Sequence, residues 1–384
     1  MKKSSAFAFA VIFALANCQL VGAAGFTAGD LTVVLAGDGT AALGSAATAA
    51  FLREYTISGS LVQTINLPTV FSGGNAPLTL SGSAGSEGFL SLSTDGQFLT
   101  MGGYAAVTGT AGVATATPAT VNRVVGVIDA SGNVNTTTAL ADSYSGSNIR
   151  STASTDGNSL WTSGNGGSGQ GATAGARYTT LGSTAAIQLN PTTSNLRVLN
   201  IFNGQLYASS SSGTFLGIST VGTGLPTTGG AGTLTLLAGM PTTGTHSAYD
   251  FWFKDANTLY VADDGSAANG GGIQKWIQSA GTWSLAYTLL NNGTTTTGVR
   301  GLIGTVDGGG NTILFATTSA TSANQLISLS DTGAGAVFTT LATAPANTAF
   351  RGVDFTPTAV PEPSSLALAT LAGSACLVAV RRKR

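Results

Sequence analysis

Histidine, cysteine and charge are scarce in this 384-residue chain. The single histidine is His246. That excludes a His-rich zinc site and any mechanism that needs paired histidines. A Ser-His-Asp arrangement would have to use His246, and no nucleophile-elbow sequence accompanies it. In its Thr/Gly-rich surroundings, His246 reads as a solvated loop residue. The two cysteines, Cys18 and Cys376, lie near the two ends. The stretch between them therefore has no disulfide, and its stability must come from burial and backbone hydrogen bonds. Charged residues make up 8% of the chain, with 15 basic and 16 acidic. Six of the basic residues (Lys2, Lys3, Arg381, Arg382, Lys383, Arg384) and one acidic residue (Glu362) belong to the terminal segments. Residues 25–359 keep nine basic and fifteen acidic side chains, a net of −6. A nucleic-acid partner needs a basic surface, so that class is excluded.

What is present is glycine, at 54 residues, among abundant Thr, Ser, Ala and Asn. Hydrophobic residues are 43% of the chain, too many for a disordered composition. Short apolar runs between Gly, Ser and Asn turns predict an all-β fold. One phrase recurs: an extended segment, a tight turn, then an apolar strand ending in small residues. Its copies run over 89–102, 150–164, 197–209, 250–262 and 300–316. Asp95-Gly96, Asp156-Gly157 and Asn203-Gly204 supply the positive φ that tight hairpins require. Second strand pairs are readable at 121–128 with 134–140, 273–278 with 282–290, and 325–329 with 336–341. Two hairpins per unit give four strands, and a unit of roughly 45 to 60 residues fits a β-propeller blade.

The ends of this region complete each other. Leu31–Leu35, Phe51–Ile57 and Leu61–Leu67 make a blade without its first strand. The segment from Phe350 to Phe355 resembles the first strand that starts at Val299, but has no blade to follow it. Joining them predicts a ring of six four-stranded blades over 25–359, with no free sheet edge at the closure. A β-sandwich pair or a β-helix is the alternative.

Two terminal segments flank the ring. Met1-Lys2-Lys3, an apolar run from Ala6 to Ala16 and the small residues at 21–24 read as a secretory signal peptide over 1–24. Leu15-Ala16-Asn17-Cys18 gives an alternative lipoprotein reading, with Asn17 where a small residue is expected. At the other end come Val360-Pro361-Glu362-Pro363, an apolar run from Leu366 to Val380, and Arg381-Arg382-Lys383-Arg384. The prolines remove N–H donors and hold the preceding residues extended, so the motif stands clear of any helix. The apolar run predicts a helix of roughly 22 Å at 1.5 Å per residue. That is short of a ~30 Å hydrocarbon core, and Ser364, Ser365 and the snorkelling arginines make up the difference. The basic end predicts a cytoplasmic C-terminus; a plain single-pass tail anchor is the alternative.

In order and content, segment 360–384 resembles the PEP-CTERM sorting signal of Gram-negative exosortase substrates. The resemblance covers those 25 residues. It implies an inner-membrane precursor held by the C-terminal helix. It also implies exosortase and signal peptidase as partners, and delivery to the cell surface or extracellular matrix. O-glycosylation on the many Ser and Thr residues is a further implication.

Chemistry-bearing residues inside the ring are few. Asp263-Asp264-Gly265 and Asp38-Gly39 lie at strand ends and leave calcium open, but no Asp-x-Asp-x-Asp loop with a closing Glu is present. They read as turn residues, and no cofactor is expected. The glycine runs at 164–175 and 229–232 lack the lysine and strand-loop-helix context of a phosphate loop and read as flexible loops. Trp161, Trp252, Trp276 and Trp283 read as blade-to-blade core, with sugar stacking as the alternative. One pattern points to a site. Arg150, Arg197, Arg300 and Arg351 each stand at the start of a first strand, with Tyr249 at that place in the fourth copy and Glu87 near it in the first. First strands line a propeller's channel, so the arginines would share one rim and could grip an anionic ligand such as an acidic sugar. The alternative is that they bond to carbonyls and waters filling the channel. The expected function is a non-enzymatic surface or matrix scaffold or adhesin, with extracellular polysaccharide as a partner. The alternatives are a carbohydrate-binding propeller, or a polysaccharide hydrolase or lyase using Asp250 and Asp354.

Overall fold

The computed structural model describes residues 24–190, 192 and 195–359. The signal peptide, Val360, Pro361, Glu362, Pro363, the apolar tail and Arg381, Arg382, Lys383 and Arg384 lie outside the described residues.

Six four-stranded antiparallel sheets form a ring. Blade 1 comprises Leu90–Leu92, Phe98–Tyr104, Arg123–Asp129 and Val134–Leu140. Blade 2 comprises Ile149–Ser154, Ser159–Gly164, Arg177–Thr180 and Ile187–Gln188. Blade 3 has Leu199–Phe202, Gln205–Ser209, Ile218–Val221 and Leu234–Leu236. Blade 4 has Ala248–Asp255, Thr258–Asp263, Gly272–Ser279 and Thr282–Leu289. Blade 5 has Val299–Val306, Thr312–Thr318, Gln325–Ser330 and Thr339–Thr343. Blade 6 takes its first strand, Ala349–Phe355, from the end of the ring and the other three, Leu31–Ala36, Ala50–Tyr55 and Leu61–Asn66, from its beginning. The joint is an antiparallel ladder in which Leu31 faces Phe355 and Ala36 faces Ala349.

Each first strand packs against the first strand of the next blade, at all six junctions. Neighbouring blades are separate sheets, so side chains and stray backbone bonds bridge them. Asp354 Oδ2 accepts from Leu92 N at 2.7 Å, Asp250 Oδ2 from Leu302 N at 3.1 Å and Ser151 Oγ from Leu199 N at 2.8 Å. Asn200 Nδ2 donates to Phe251 O at 3.2 Å, and Thr317 Oγ1 to Arg351 O at 2.5 Å. The approach is close enough that a Cβ on Gly352 would overlap Leu90 N, so that position admits only glycine. Between blades the core is apolar. Leu259, Val261, Ile273, Leu302 and Leu314 are all buried at the junction of blades 4 and 5, each worth roughly 1.5–3 kcal/mol on burial.

The expected hairpin turns are in place, with φ of 73°, 74° and 72° at Gly96, Gly157 and Gly204. Three local expectations need correcting. The outer strand of blade 5 is Thr339–Thr343, not 336–341. Ala336 N instead closes a turn on Gly333 O at 2.9 Å and Val337 is 84% exposed. The glycine run after Gly164 is not a free loop. Gln188 Nε2 ties it down through Gly171 O at 2.7 Å and Ala174 O at 3.0 Å, and Gly167 N bonds Ser145 O at 2.8 Å. Gly232 N likewise bonds Leu189 O at 2.9 Å, so the run at 229–232 is fastened to blade 2.

Strand direction gives the ring two distinct faces. First strands begin at what we call the upper face and end at the lower face, where the Asp-Gly and Asn-Gly turns lie. The four first-strand arginines are therefore all at the upper face.

Candidate anion-binding mouth

The upper mouth of the channel brings Arg150, Arg197, Arg300 and Arg351 together around Tyr249. The Arg197 guanidinium carbon lies 3.8 Å from the Tyr249 ring centre and that of Arg300 lies 5.4 Å from it. Phe89, from blade 1, reaches across to the same ring, centre to centre 5.9 Å. Blades 1 and 4 are opposite each other in a six-blade ring, so this pair plugs the channel beneath the arginines.

Three of the arginines staple their blade to the next. Arg150 Nη1 donates to Asn195 Oδ1 at 2.5 Å and Leu196 O at 3.0 Å. Arg197 Nη1 donates to Ser247 Oγ and Ala248 O, both at 3.0 Å. Arg351 Nη2 donates to Gly82 O at 2.9 Å. Arg300 instead pairs with Asp264, Nε to Oδ2 at 2.8 Å. The carbonyl-bonding alternative is thus part of the answer, but it does not use the donors up. The buried Nε of Arg150 and of Arg351 has no partner among the described residues.

Segment 82–88 lies over one side of this group. Its small residues make that fit: a Cβ on Gly85 would overlap Arg300 Nη1. The segment also carries Glu87, 1% exposed, which accepts from Ser81 N at 2.9 Å, Tyr104 Oη and Asn148 Nδ2. Burial raises the Glu87 pKa, and its hydrogen bonds and the Arg351 charge work against that rise. Burial first, and the neighbouring charge of Arg197, bring Arg150 down to about 10. Burial and the nearby Arg300 bring Arg351 to about 10 as well. Arg150 and Arg351 therefore stay charged at neutral pH. Three acidic side chains, Glu87, Asp263 and Asp264, stand among the four guanidiniums, which leaves basic groups in excess by one at the upper mouth.

The remaining candidates are placed elsewhere. Asp250 and Asp354 are buried between first strands, and each also accepts the N–H of its following residue, at 2.9 and 2.7 Å. Asp263 accepts from Ser247 N, Gly265 N and Gln274 Nε2 at 2.9, 2.7 and 3.2 Å. Asp264 serves Arg300 and Ser247, and Asp38 closes a turn on Thr40. No group of three or more His, Cys, Asp and Glu side chains suited to a metal occurs among the described residues. His246 is half-buried at the upper face rather than solvated, and its Nδ1 is buried without a partner among the described residues. Trp161, Trp276 and Trp283 are core, at 2%, 4% and 6% exposure, and Trp252 stacks on Tyr260 at 5.9 Å. The sequence reading named the arginines but missed Asn148, Asn195, Ser247 and segment 82–88, whose only signal is the spacing of Gly82, Gly85 and Gly88.

No curated protein sequence matches the chain. Among solved structures, similarity extends to a nidogen/laminin complex, at 11% identity over 85% of this chain and 98% of that one, TM-score 0.45. It extends also to Citrobacter koseri AztD, at 10% over 86% and 99%, TM-score 0.38. Kuenenia stuttgartiensis hydrazine synthase is similar at 12% over 71% and 68%, TM-score 0.39. No function is carried over from these. Residues 359–384 match the PEP-CTERM protein-sorting motif. The chain is therefore a six-bladed propeller bearing an exosortase sorting signal, the mark of an exported protein.

Proposed function

We propose that the chain is a non-enzymatic adhesin or scaffold of the cell surface or matrix, whose arginine mouth grips anionic groups of extracellular polysaccharide. A leader removed by signal peptidase and an inner-membrane precursor held by the C-terminal tail belong to this reading. The observation that carries it is the gathering of four arginines at one rim, two of which, Arg197 and Arg300, lie over Tyr249 and are partly exposed. Like charges gathered at one rim repel, and an anion relieves that repulsion while accepting charge-assisted bonds. A planar guanidinium suits the carboxylates or sulfates of acidic sugars, and Tyr249 and Phe89 give an apolar floor below them.

Support for a non-catalytic role is chemical. Asp250 and Asp354 spend their oxygens on backbone N–H groups that hold the ring together. The test is a binding screen of purified residues 25–359 on acidic polysaccharides and on the same polymers with carboxyls reduced, with and without calcium, with product release followed in the same wells. Binding that disappears on carboxyl reduction, without turnover, supports the reading. Turnover of any polymer overturns the non-enzyme part, and equal binding to both forms overturns the anion part.

A further inference from the structure

We infer that a cleft between blades 3 and 4, on the lower face, is a binding site for a neutral sugar residue. It lies on the face opposite the arginine mouth and does not depend on the anion reading. Aromatic residues are 7% of the chain, yet Phe202, Tyr207, Phe253 and Trp283 all line this one cleft. Phe202 ends the first strand of blade 3, beside the Asn203-Gly204 turn, and Phe253 lies near the end of the first strand of blade 4. Tyr207 comes from the second strand of blade 3 and Trp283 from the outer strand of blade 4. Phe253 is the hub. Its ring centre is 4.7 Å from those of Phe202 and Tyr207 and 6.0 Å from that of Trp283.

Part of this cluster is ordinary blade-to-blade core, since Phe253 and Trp283 are buried. Phe202 and Tyr207 are only half-buried. The outer strand of blade 3 has three residues where that of blade 4 has eight, so it stops short of closing the junction. A cavity of about 320 Å³ is left there. Small-molecule sites run from about 300 to 1,000 Å³. The outer wall of the cleft is fixed. Trp283 N donates to Ala238 O at 2.7 Å, and a Cβ on Gly239 would overlap Trp283 O.

The lining decides the ligand. None of its side chains is charged, so nothing there offsets the cost of desolvating a charged group. It is not purely apolar either. Tyr207 Oη and the side-chain amides of Asn203 and Gln278 have no hydrogen-bond partner among the described residues. Burial raises the Tyr207 pKa, so the phenol keeps its proton. A wholly apolar ligand would strip water from these groups and return nothing, at about 1–3 kcal/mol each. A sugar ring meets both demands. Its C–H face packs on Phe202 and Tyr207, and its hydroxyls donate to and accept from the phenol and the amides.

The test uses the full chain in a detergent without a sugar headgroup. Saturation-transfer NMR and titration are run against maltohexaose, cellohexaose, mannohexaose and galactohexaose. Tyr207→Phe removes one hydroxyl and keeps the ring, and Gln278→Ala shortens a half-buried side chain, so neither threatens the fold. The expected result is binding of at least one of these sugars, equal at low and high salt, and about threefold or more weaker in each variant. Phe202→Leu keeps the apolar volume but loses the flat face, and should weaken binding about fivefold or more. Binding that none of the three substitutions weakens places the sugar elsewhere and overturns the inference. So does binding that is lost at high salt, which belongs to the arginine mouth. Absence of binding by all of these sugars overturns it too, as does an uncharged leucine-rich peptide that binds more tightly and displaces them.

Discussion

Burial of Asp354 gives the ring a pH dependence opposite to the usual acid denaturation. Its carboxyl lies between blades 6 and 1, where burial lifts its pKa from 3.8 to about 7 against two backbone hydrogen bonds. The folded chain therefore holds the proton more tightly than the unfolded chain does. The stabilisation is complete below pH 3.8 and is lost as pH rises through 7. The loss between pH 5 and pH 7.5 comes to about 2–3 kcal/mol. Asp250 is raised too, by burial and by the charge of Asp354, and acts with the same sign. Asp354→Asn keeps an oxygen for Leu92 N–H and cannot ionise. Its steric cost is independent of pH, so the slope is the readout. Urea unfolding of residues 25–359 at pH 5, 6, 7 and 7.5 should show the variant gaining about 2–3 kcal/mol on the parent across that range. A constant difference between variant and parent would refute the reasoning, as would a parent whose stability rises with pH.

Three further perturbations follow from other contacts. Asp331 accepts from Lys275 Nζ at 2.7 Å, Tyr287 Oη at 2.7 Å and Tyr260 Oη at 2.5 Å. Asp331→Ala strands that half-buried lysine and should cost about 2–4 kcal/mol in urea unfolding. Arg123 is fully buried and donates to the carbonyls of Val121, Ala116, Tyr144 and Ser147 at 2.6 to 3.0 Å. Arg123→Met should cost about 3–5 kcal/mol, through carbonyls left unpaired, and raise amide exchange in the segments around 116 and 146. Gly85→Val drives a branched side chain into Arg300 Nη1, so it should weaken polyanion binding several-fold while a urea midpoint falls by less than in Arg123→Met.

The blade count was legible because each first hairpin carries its own turn chemistry, and a missing first strand at one end matched a spare one at the other. The outer hairpins of blades 2 and 3 were not. Ile187–Gln188 and Leu234–Leu236 are too short to show a period, and glycine-rich connections interrupt their blades at 165–176 and 222–233. In blade 5, Ala336-Val337-Phe338 looked like a strand, but alternation cannot distinguish an apolar turn from one. The repeat phase placed all four arginines on one rim. It could not show that Arg150 would reach Asn195 or that Gly85 would lie on Arg300, since those contacts depend on loop paths set by tertiary packing. His246 misled for the same reason: its local sequence is polar and open, yet its ring is tucked beside Gly270.

The most direct measurement is calorimetric titration of residues 25–359 and of Arg197→Gln/Arg300→Gln with one carboxylated polysaccharide at two salt concentrations. These are the arginines that face Tyr249 and retain some exposure. The account predicts at least about tenfold weaker binding by the variant and a shallower salt dependence, since two charge-assisted contacts are gone. Equal affinity and equal salt dependence in parent and variant would contradict it.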